Sequence, residues 1–178
     1  MIVYHVGVTA AADYLARRED PRPAHLERII ALRGSGLCLA GGPAPDGRTA
    51  DLFSRVDQPA DVTRLVEEDP YYTGGVWKAY TAESFSNFLE PWQLPPVVID
   101  GSRRATVVEG LAIDVEMASF ALIEARGAGR MTLGGFFPDG RTLCLMRASD
   151  PDEAVASLTE TGLWKPETLR GRPLLHVL

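Results

Sequence analysis

The side chains of this sequence that are best able to do chemistry are three histidines and two cysteines, at His5, His25, His176, Cys38 and Cys144. An imidazole can accept or donate a proton near pH 7, so each histidine is a candidate acid–base group. The histidines are too scattered for a metal site, and the cysteines lack the Cys-x-x-Cys spacing of zinc ligands. Cys38 lies in an apolar stretch and is expected to be a small buried hydrophobe. We therefore expect acid–base chemistry without a metal.

Sequence signatures of nucleotide cofactors and of nucleophilic catalysis are missing. The glycine-rich segment at 39–47 has neither the Gly-x-Gly-x-x-Gly nor the Gly-x-x-x-x-Gly-Lys spacing of phosphate-binding loops. A Gly-x-Ser-x-Gly motif does not occur either. The sequence thus predicts no cofactor, and any reaction would depend on side chains alone.

The composition narrows the class of protein. The chain has 178 residues, of which 46% are hydrophobic and 24% charged, which is typical of a packed globular protein. The net charge is −6 and Lys and Arg form no cluster, so we expect no nucleic-acid partner. Prolines interrupt the apolar stretches well before the ~18 residues that a membrane span requires. The N-terminus lacks a signal-peptide flank and the cysteines form no disulfide pattern, so a cytoplasmic location is expected.

An internal repeat organises the chain. Residues 33–49 and 126–142 align without a gap at a shift of 93 residues, and 10 of the 17 positions are identical. Chance gives about one identity in twenty positions, so the alignment predicts a tandem duplication. Farther along, the same shift aligns Leu52 with Leu145 and Asp57 with Asp150.

Each repeat is predicted to run strand, helix, strand, turn, strand, helix, strand. Helical spacing of apolar positions follows Arg22, and a Pro-Asp-Gly turn joins two strand-like runs. This order predicts an α+β protein of two tandem ferredoxin-like (βαββαβ) units. Packing the two sheets face to face would bury both helix-free faces and leave a cleft between them. We expect the units at residues 1–92 and 103–178, with a proline-rich linker at 93–102.

Two motifs in the first repeat resemble the YciI-like family. One is RPAHLERIIALRGSGLCLAGG at 22–42, and the other is Asp-Pro-Tyr-Tyr at 69–72 followed by Gly-Gly-Val-Trp at 74–77. The resemblance covers about residues 1–92. It implies the dimeric α+β barrel fold, here intramolecular, in which two ferredoxin-like sheets face one another. It also implies a His–Asp pair at the active site, and a few relatives remove chloride from chlorinated aromatic or lactone intermediates.

The resemblance carries over onto particular residues of this sequence. The family histidine corresponds to His25, and the family aspartate is best matched by Asp46, although Asp46 could equally cap its compact turn. The second repeat has Asp139 at the place of Asp46 but Ala118 at the place of His25, and it lacks the Asp-Pro-aromatic motif. The second repeat is therefore predicted to be degenerate, kept for its fold beside one working site.

Further residues are candidates for substrate binding. His5 lies on a strand face that could line the cleft, with a structural role as the alternative. Tyr72 and Trp77 could wall an apolar pocket for a ring, although core packing would also explain both. His176, in the last strand, is a less favoured candidate.

These observations predict a cofactor-free enzyme in which a His25–Asp46 pair transfers a proton on a small carbonyl-bearing molecule. The reaction would be an elimination, an isomerisation or a cyclisation, and a cofactor-independent oxygenase or cyclase on the same barrel belongs to the same class. The alternative is a non-catalytic metabolite-binding or scaffold module. Beyond the small-molecule substrate, a homodimer of such chains is compatible with the sequence.

Overall fold

The chain folds into two compact units. The computed structural model describes residues 2–87 and 94–178. The first unit runs to Ser84 and also contains residues 177–178, and the second unit comprises residues 85–176. The predicted domain boundary at 92 and the start of the predicted linker lie outside the described residues.

The first unit contains one four-stranded antiparallel sheet. Its elements are β1 (Ile2–Ala10), α1 (Tyr14–Arg17), α2 (Arg22–Gly34), β2 (Cys38–Pro43), β3 (Thr49–Val56), α3 (Pro59–Glu67), α4 (Pro70–Thr73) and β4 (Trp77–Ser84). The strands lie in the order β2-β3-β1-β4, so β1 pairs with both β3 and β4. This is the ferredoxin-like order that the sequence predicts.

The second unit has the same strand order, β6-β7-β5-β8. Its elements are β5 (Arg104–Leu111), α5 (Val115–Gly127), β6 (Met131–Phe136), β7 (Arg141–Met146), α6 (Pro151–Thr159) and β8 (Arg170–Leu175). The prediction of an α+β protein with two such sheets is confirmed. None of the helices among residues 2–87 and 94–178 has the length and apolar character that a bilayer span requires.

The helices begin where the sequence provides caps. Asp114 accepts hydrogen bonds from two backbone amides at the start of α5, and Asp150 accepts one at the start of α6. A reciprocal capping box between Gln58 and Asp61 opens α3. Prolines occupy the first position of α3 and α6, where a missing amide hydrogen costs nothing.

The number of residues that separates equivalent positions in the two units changes by one at the hairpin turn. Helices α2 and α5 begin 93 residues apart, whereas α3 and α6 begin 92 apart. The turn between the last paired strand residues is one residue longer in the first unit, at 44–49 against 137–141. The predicted alignment of Asp57 with Asp150 is therefore wrong, because the cap that corresponds to Asp150 is Gln58.

Matching helices have equal lengths in the two units. Helices α2 and α5 both have 13 residues, and α3 and α6 both have 9. Position four of the 13-residue helix is buried in both units, as His25 in one and Ala118 in the other. The position on which the predicted chemistry depends is thus the same helical site in each.

Each unit is completed by a short segment from a distant part of the chain. In the first unit, the amides of Val177 and Leu178 both donate to the carbonyl of Gly41 in β2. In the second unit, the Ser86 amide donates to the Phe136 carbonyl, and the Phe136 amide donates to Ser86 Oγ. The first unit is therefore made of two separate pieces of sequence, whereas the second is one continuous piece.

The two cysteines are buried thiols in β2 and β7. Burial raises the pKa of both Cys38 and Cys144 to about 12, and the nearby Arg33 opposes the rise at Cys38. At pH 8 each folded thiol would be ionised to only about one part in 10⁴. The predicted role of Cys38 as a small hydrophobe agrees with this burial.

We expect both thiols to react with a disulfide reagent at pH 8 only after unfolding, as followed by release of the reagent's chromophore. The raised pKa also predicts alkaline destabilisation. An unfolded thiol releases its proton near 9.0, whereas the folded ones hold theirs to about 12. The contribution to stability is complete below pH 9 and is lost as the pH rises towards 12. Rapid stoichiometric labelling of the native protein would contradict the buried placement.

Candidate functional site

His25 lies in the first turns of α2, on the face of the helix that packs inward. Ile29 and Arg33 follow on the same face at intervals of four residues, and all three are buried. Proline at the second position of α2 fixes the helix start just before His25. The imidazole is therefore held by a rigid helix rather than by a loop.

Asp69 is the carboxylate that meets His25. It precedes α4 and caps it, because its Oδ1 accepts the Tyr71 amide at 2.8 Å. The same oxygen lies 2.7 Å from Nδ1 of His25. The side chain of Asp69 is 3% exposed, so water hardly competes for this contact. The short helix thus fixes a buried carboxylate against the imidazole.

Two aromatic rings fix the plane of the His25 imidazole. The Tyr71 ring stacks on it, with centroids 3.8 Å apart and planes 9° from parallel. Trp77, at the start of β4, meets it edge-on with centroids 5.4 Å apart. The residue that caps α4 and the residue that stacks on the histidine therefore come from one Asp-Pro-Tyr-Tyr sequence.

The second ring nitrogen of His25 is available for chemistry. A carboxylate only accepts hydrogen bonds, so its contact with Nδ1 fixes the Nδ1–H tautomer and leaves a lone pair on Nε2. Within residues 2–87 and 94–178, Nε2 has no hydrogen-bond partner, and it is not among the fully buried unpaired atoms. The side chain is 10% exposed. This arrangement can accept a proton from a molecule that reaches the exposed edge of the ring.

Arg28 lies one turn after His25 on α2. Its Nε is 4.0 Å from Oδ2 of Asp69, and a terminal nitrogen lies 3.4 Å from Glu68. Because it is beside the outer oxygen of the carboxylate, its charge offsets part of the cost of burying Asp69.

Asp46 does not meet His25, contrary to the prediction from the family resemblance. Its carboxylate accepts the Arg48 amide at 3.0 Å within its own turn, and its carbonyl accepts the Tyr14 hydroxyl. The carboxylate of Asp139 likewise accepts the Arg141 amide within its own turn. A hydrogen bond from the Arg141 side chain also lowers the pKa of Asp139. Both aspartates shape their turns, so the carboxylate assigned to Asp46 is replaced by Asp69.

His5 forms a second imidazole–carboxylate contact, with Asp51 of β3. Nε2 lies 2.7 Å from Oδ1, and both residues are buried. The Phe53 ring, directly across the strands, lies 5.3 Å from the imidazole. This placement gives His5 a structural partner, and substrate binding by His5 stays a prediction.

His5 and His25 lie on opposite sides of the first sheet. Ser54, the neighbour of Phe53, pairs with Cys38 across β2 and β3, and Cys38 feels the charge of Arg33 in α2. Side chains alternate between the two faces of a sheet along a strand, so Ser54 faces α2 and Phe53 faces away from it. His5 pairs with Phe53 and therefore also faces away from α2. The two imidazoles therefore do not form one site.

The remaining predicted residues divide between this site and other places. Trp77 contacts His25, as described above. Tyr72 meets Tyr80 edge-on, with centroids 5.9 Å apart, whereas its neighbour Tyr71 stacks on His25. Substrate binding by Tyr72 stays a prediction. His176 is buried in the second unit. Among the described residues, no group of three or more metal-ligating side chains is found.

The second unit lacks the whole arrangement. Arg22, His25 and Arg28 correspond, at the shift of 93 residues, to Val115, Ala118 and Ala121. In place of a polar helix face the second unit has small apolar side chains, consistent with a single acid–base site in the first.

No family model and no curated protein matches the chain. Solved structures share its fold. A monooxygenase-like protein from Lactobacillus acidophilus aligns with a TM-score of 0.62 and 10% identity, over 98% of this chain and 93% of its own. A second such protein, from Fusobacterium nucleatum, aligns with a TM-score of 0.54 and 10% identity over 99% and 92%.

A shorter alignment covers 46% of this chain. It is to a 5-chloro-2-hydroxyhydroquinone dehydrochlorinase from Burkholderia phenoliruptrix in complex with 2,5-dihydroxybenzoquinone, with 22% identity, a TM-score of 0.41 and 90% of that chain covered. The structural neighbours are dimeric α+β barrel proteins. The chain shares their mixed α+β fold, with two four-stranded antiparallel sheets.

Proposed function

We propose that this chain is a YciI-like, cofactor-free enzyme in which His25 transfers a proton and Asp69 orients and stabilises it. The observation that carries the proposal is the 2.7 Å contact between Nδ1 of His25 and Oδ1 of Asp69, with Nε2 left unpaired among the described residues. A histidine held by a buried carboxylate, with its other nitrogen free, is the arrangement that general acid–base catalysis requires. The site needs no metal or nucleotide for this step.

The substrate is a small molecule with a carbonyl group. In an elimination, Nε2 accepts a proton from the carbon next to the carbonyl. The C–H electron pair forms the new C=C bond, and the leaving group departs with the electron pair of its own bond. Asp69 stabilises the imidazolium, which returns the proton to water. In an isomerisation, the imidazolium returns the proton to a different carbon and no group leaves.

Tyr71 and Trp77 serve the same step by restricting the imidazole. A stacked phenol ring and an edge-on indole prevent rotation about the histidine side-chain bonds, so Nε2 keeps one direction. Preorganisation of this kind lowers the barrier because no reorientation is needed when the substrate arrives.

The proposal predicts the tautomer of His25, which nitrogen NMR of the neutral imidazole measures directly. The native protein is expected to hold His25 as the Nδ1–H form. In Asp69→Ser the serine can still cap α4, but the carboxylate is lost, and the ring should relax towards the tautomer mixture of free imidazole. An Nε2–H ring in the native protein would contradict the proposed role of Asp69.

A further inference from the structure

We propose that the His25 site takes a carboxylate ligand, which Arg22 binds through its guanidinium. This inference rests on the proposed function, and it names the class of substrate.

Arg22 lies one helical turn before His25 in α2, and His25 stacks on the Tyr71 ring. Burial raises the pKa of Tyr71, and the charges of Arg22 and Arg18 partly offset that rise. Residues three apart on a helix are neighbours on its surface, so the Arg22 guanidinium is a cation close to the imidazole that stacks on Tyr71.

Arg22 is not engaged by an acidic group. Within the part of the chain that the structure describes, no ion pair involves Arg22, whereas Arg18 pairs with Glu19 and Arg28 lies against Glu68 and Asp69. Arg22 is exposed. Its charge is thus available to an anion from solution.

The position of Arg22 is unfavourable for the helix itself. It occupies the first position of α2, where the helix dipole favours acidic side chains, and the first turn contains none. The second unit shows that the fold does not need a cation there, since Val115 takes that position in α5. Arginine at this place therefore has a use other than helix stability, and it is absent from the same unit that lacks the histidine.

A planar guanidinium binds a carboxylate through two parallel hydrogen bonds. A ligand held in this way would place its planar part along Tyr71 and its carbonyl-adjacent carbon towards Nε2 of His25. The inferred substrates are consequently small keto or unsaturated acids rather than neutral ketones.

Binding of benzoate, with benzamide as the neutral molecule of the same shape, tests this inference. The readout is the NMR shift of the His25 and Tyr71 ring protons during titration of the full chain. We expect benzoate to bind at least ~10-fold more tightly than benzamide, because charge-assisted hydrogen bonds contribute about 1.5–3 kcal/mol. Arg22→Gln should abolish the preference, and Arg22→Lys should retain part of it.

The matched control is Arg64→Gln, which removes the same charge from α3, where Arg64 pairs with Asp61. This variant should bind benzoate as the native protein does. Equal affinity for benzoate and benzamide, or an unchanged preference in Arg22→Gln, would overturn the inference. If the protein prefers benzoate but exchanges no protons on keto acids, the carboxylate site is supported and the proposed catalysis is contradicted. Proton exchange on neutral ketones at the same rate in the native protein and in Arg22→Gln would support the proposed catalysis and contradict the carboxylate site.

Discussion

Replacing His25 by asparagine is expected to slow substrate proton exchange by roughly 10²–10⁴-fold. The asparagine amide can still donate to Asp69, the partner of Nδ1 in the native protein, but it removes the Nε2 base. The measurement is deuterium incorporation next to the carbonyl of small ketones and keto acids in D₂O, followed by mass spectrometry. This assay detects proton transfer before the final product of the reaction is known.

Two further variants separate the candidate carboxylates in the same assay. Asp69→Ser should slow exchange, because it removes the charge that stabilises the imidazolium. Asp46→Ala should leave exchange unchanged, since Asp46 only accepts the Arg48 amide within its turn. A folded His25→Asn protein with the native exchange rate would show that the proposed base is wrong. Ligand binding without exchange in the native protein would favour the metabolite-binding module instead.

Replacing Gly135 by alanine is expected to destabilise the protein by about 3 kcal/mol or more. A Cβ at this position in β6 would lie 1.5 Å from the carbonyl oxygen of Ser86 and 3.1 Å from the Cα of Asn87. Backbone atoms cannot turn aside as a side chain can. The segment at 85–87 would have to leave β6, with loss of the hydrogen bonds between Ser86 and Phe136.

Chemical denaturation of Gly135→Ala beside Gly127→Ala measures this effect. A Cβ at Gly127, the last residue of α5, would have no heavy atom within 4 Å. The control should therefore be neutral, or stabilised by up to about 1 kcal/mol through reduced chain entropy. Similar unfolding free energies for the two variants would mean that residues 85–87 do not lie against β6.

The topology of both sheets could be predicted from the sequence because local signals agreed with one another. The repeated Pro-Asp-Gly turn, the apolar periodicity and the capping aspartates each mark an element boundary. The one-residue change between the units could not be predicted in this way. An ungapped alignment of identical turn residues conceals the change. The structure shows it, for example, in the pairing of Ala40 with Phe53 against that of Leu133 with Leu145.

The histidine of the candidate site could be predicted, whereas its carboxylate partner was assigned wrongly. Asp46 and Asp69 are both aspartates that precede a turn, and their distance from His25 depends on tertiary packing. A signal for Asp69 was nevertheless present, because an aspartate directly before a proline is a strong N-cap and lies in the Asp-Pro-Tyr-Tyr motif. The contact between His5 and Asp51 had a weaker signal, a single acidic residue in strand β3.

The completion of the first unit by residues 177–178 has a consequence for synthesis of the protein on the ribosome. Domains generally fold in the order in which they emerge, the N-terminal one first. Here the donors to the Gly41 carbonyl are made some 90 residues after the rest of the first unit. Until then the outer edge of β2 remains a strand edge with an unpaired carbonyl, open to wrong pairing with another nascent chain. The first unit, which contains His25, is therefore begun before the second unit and completed after it.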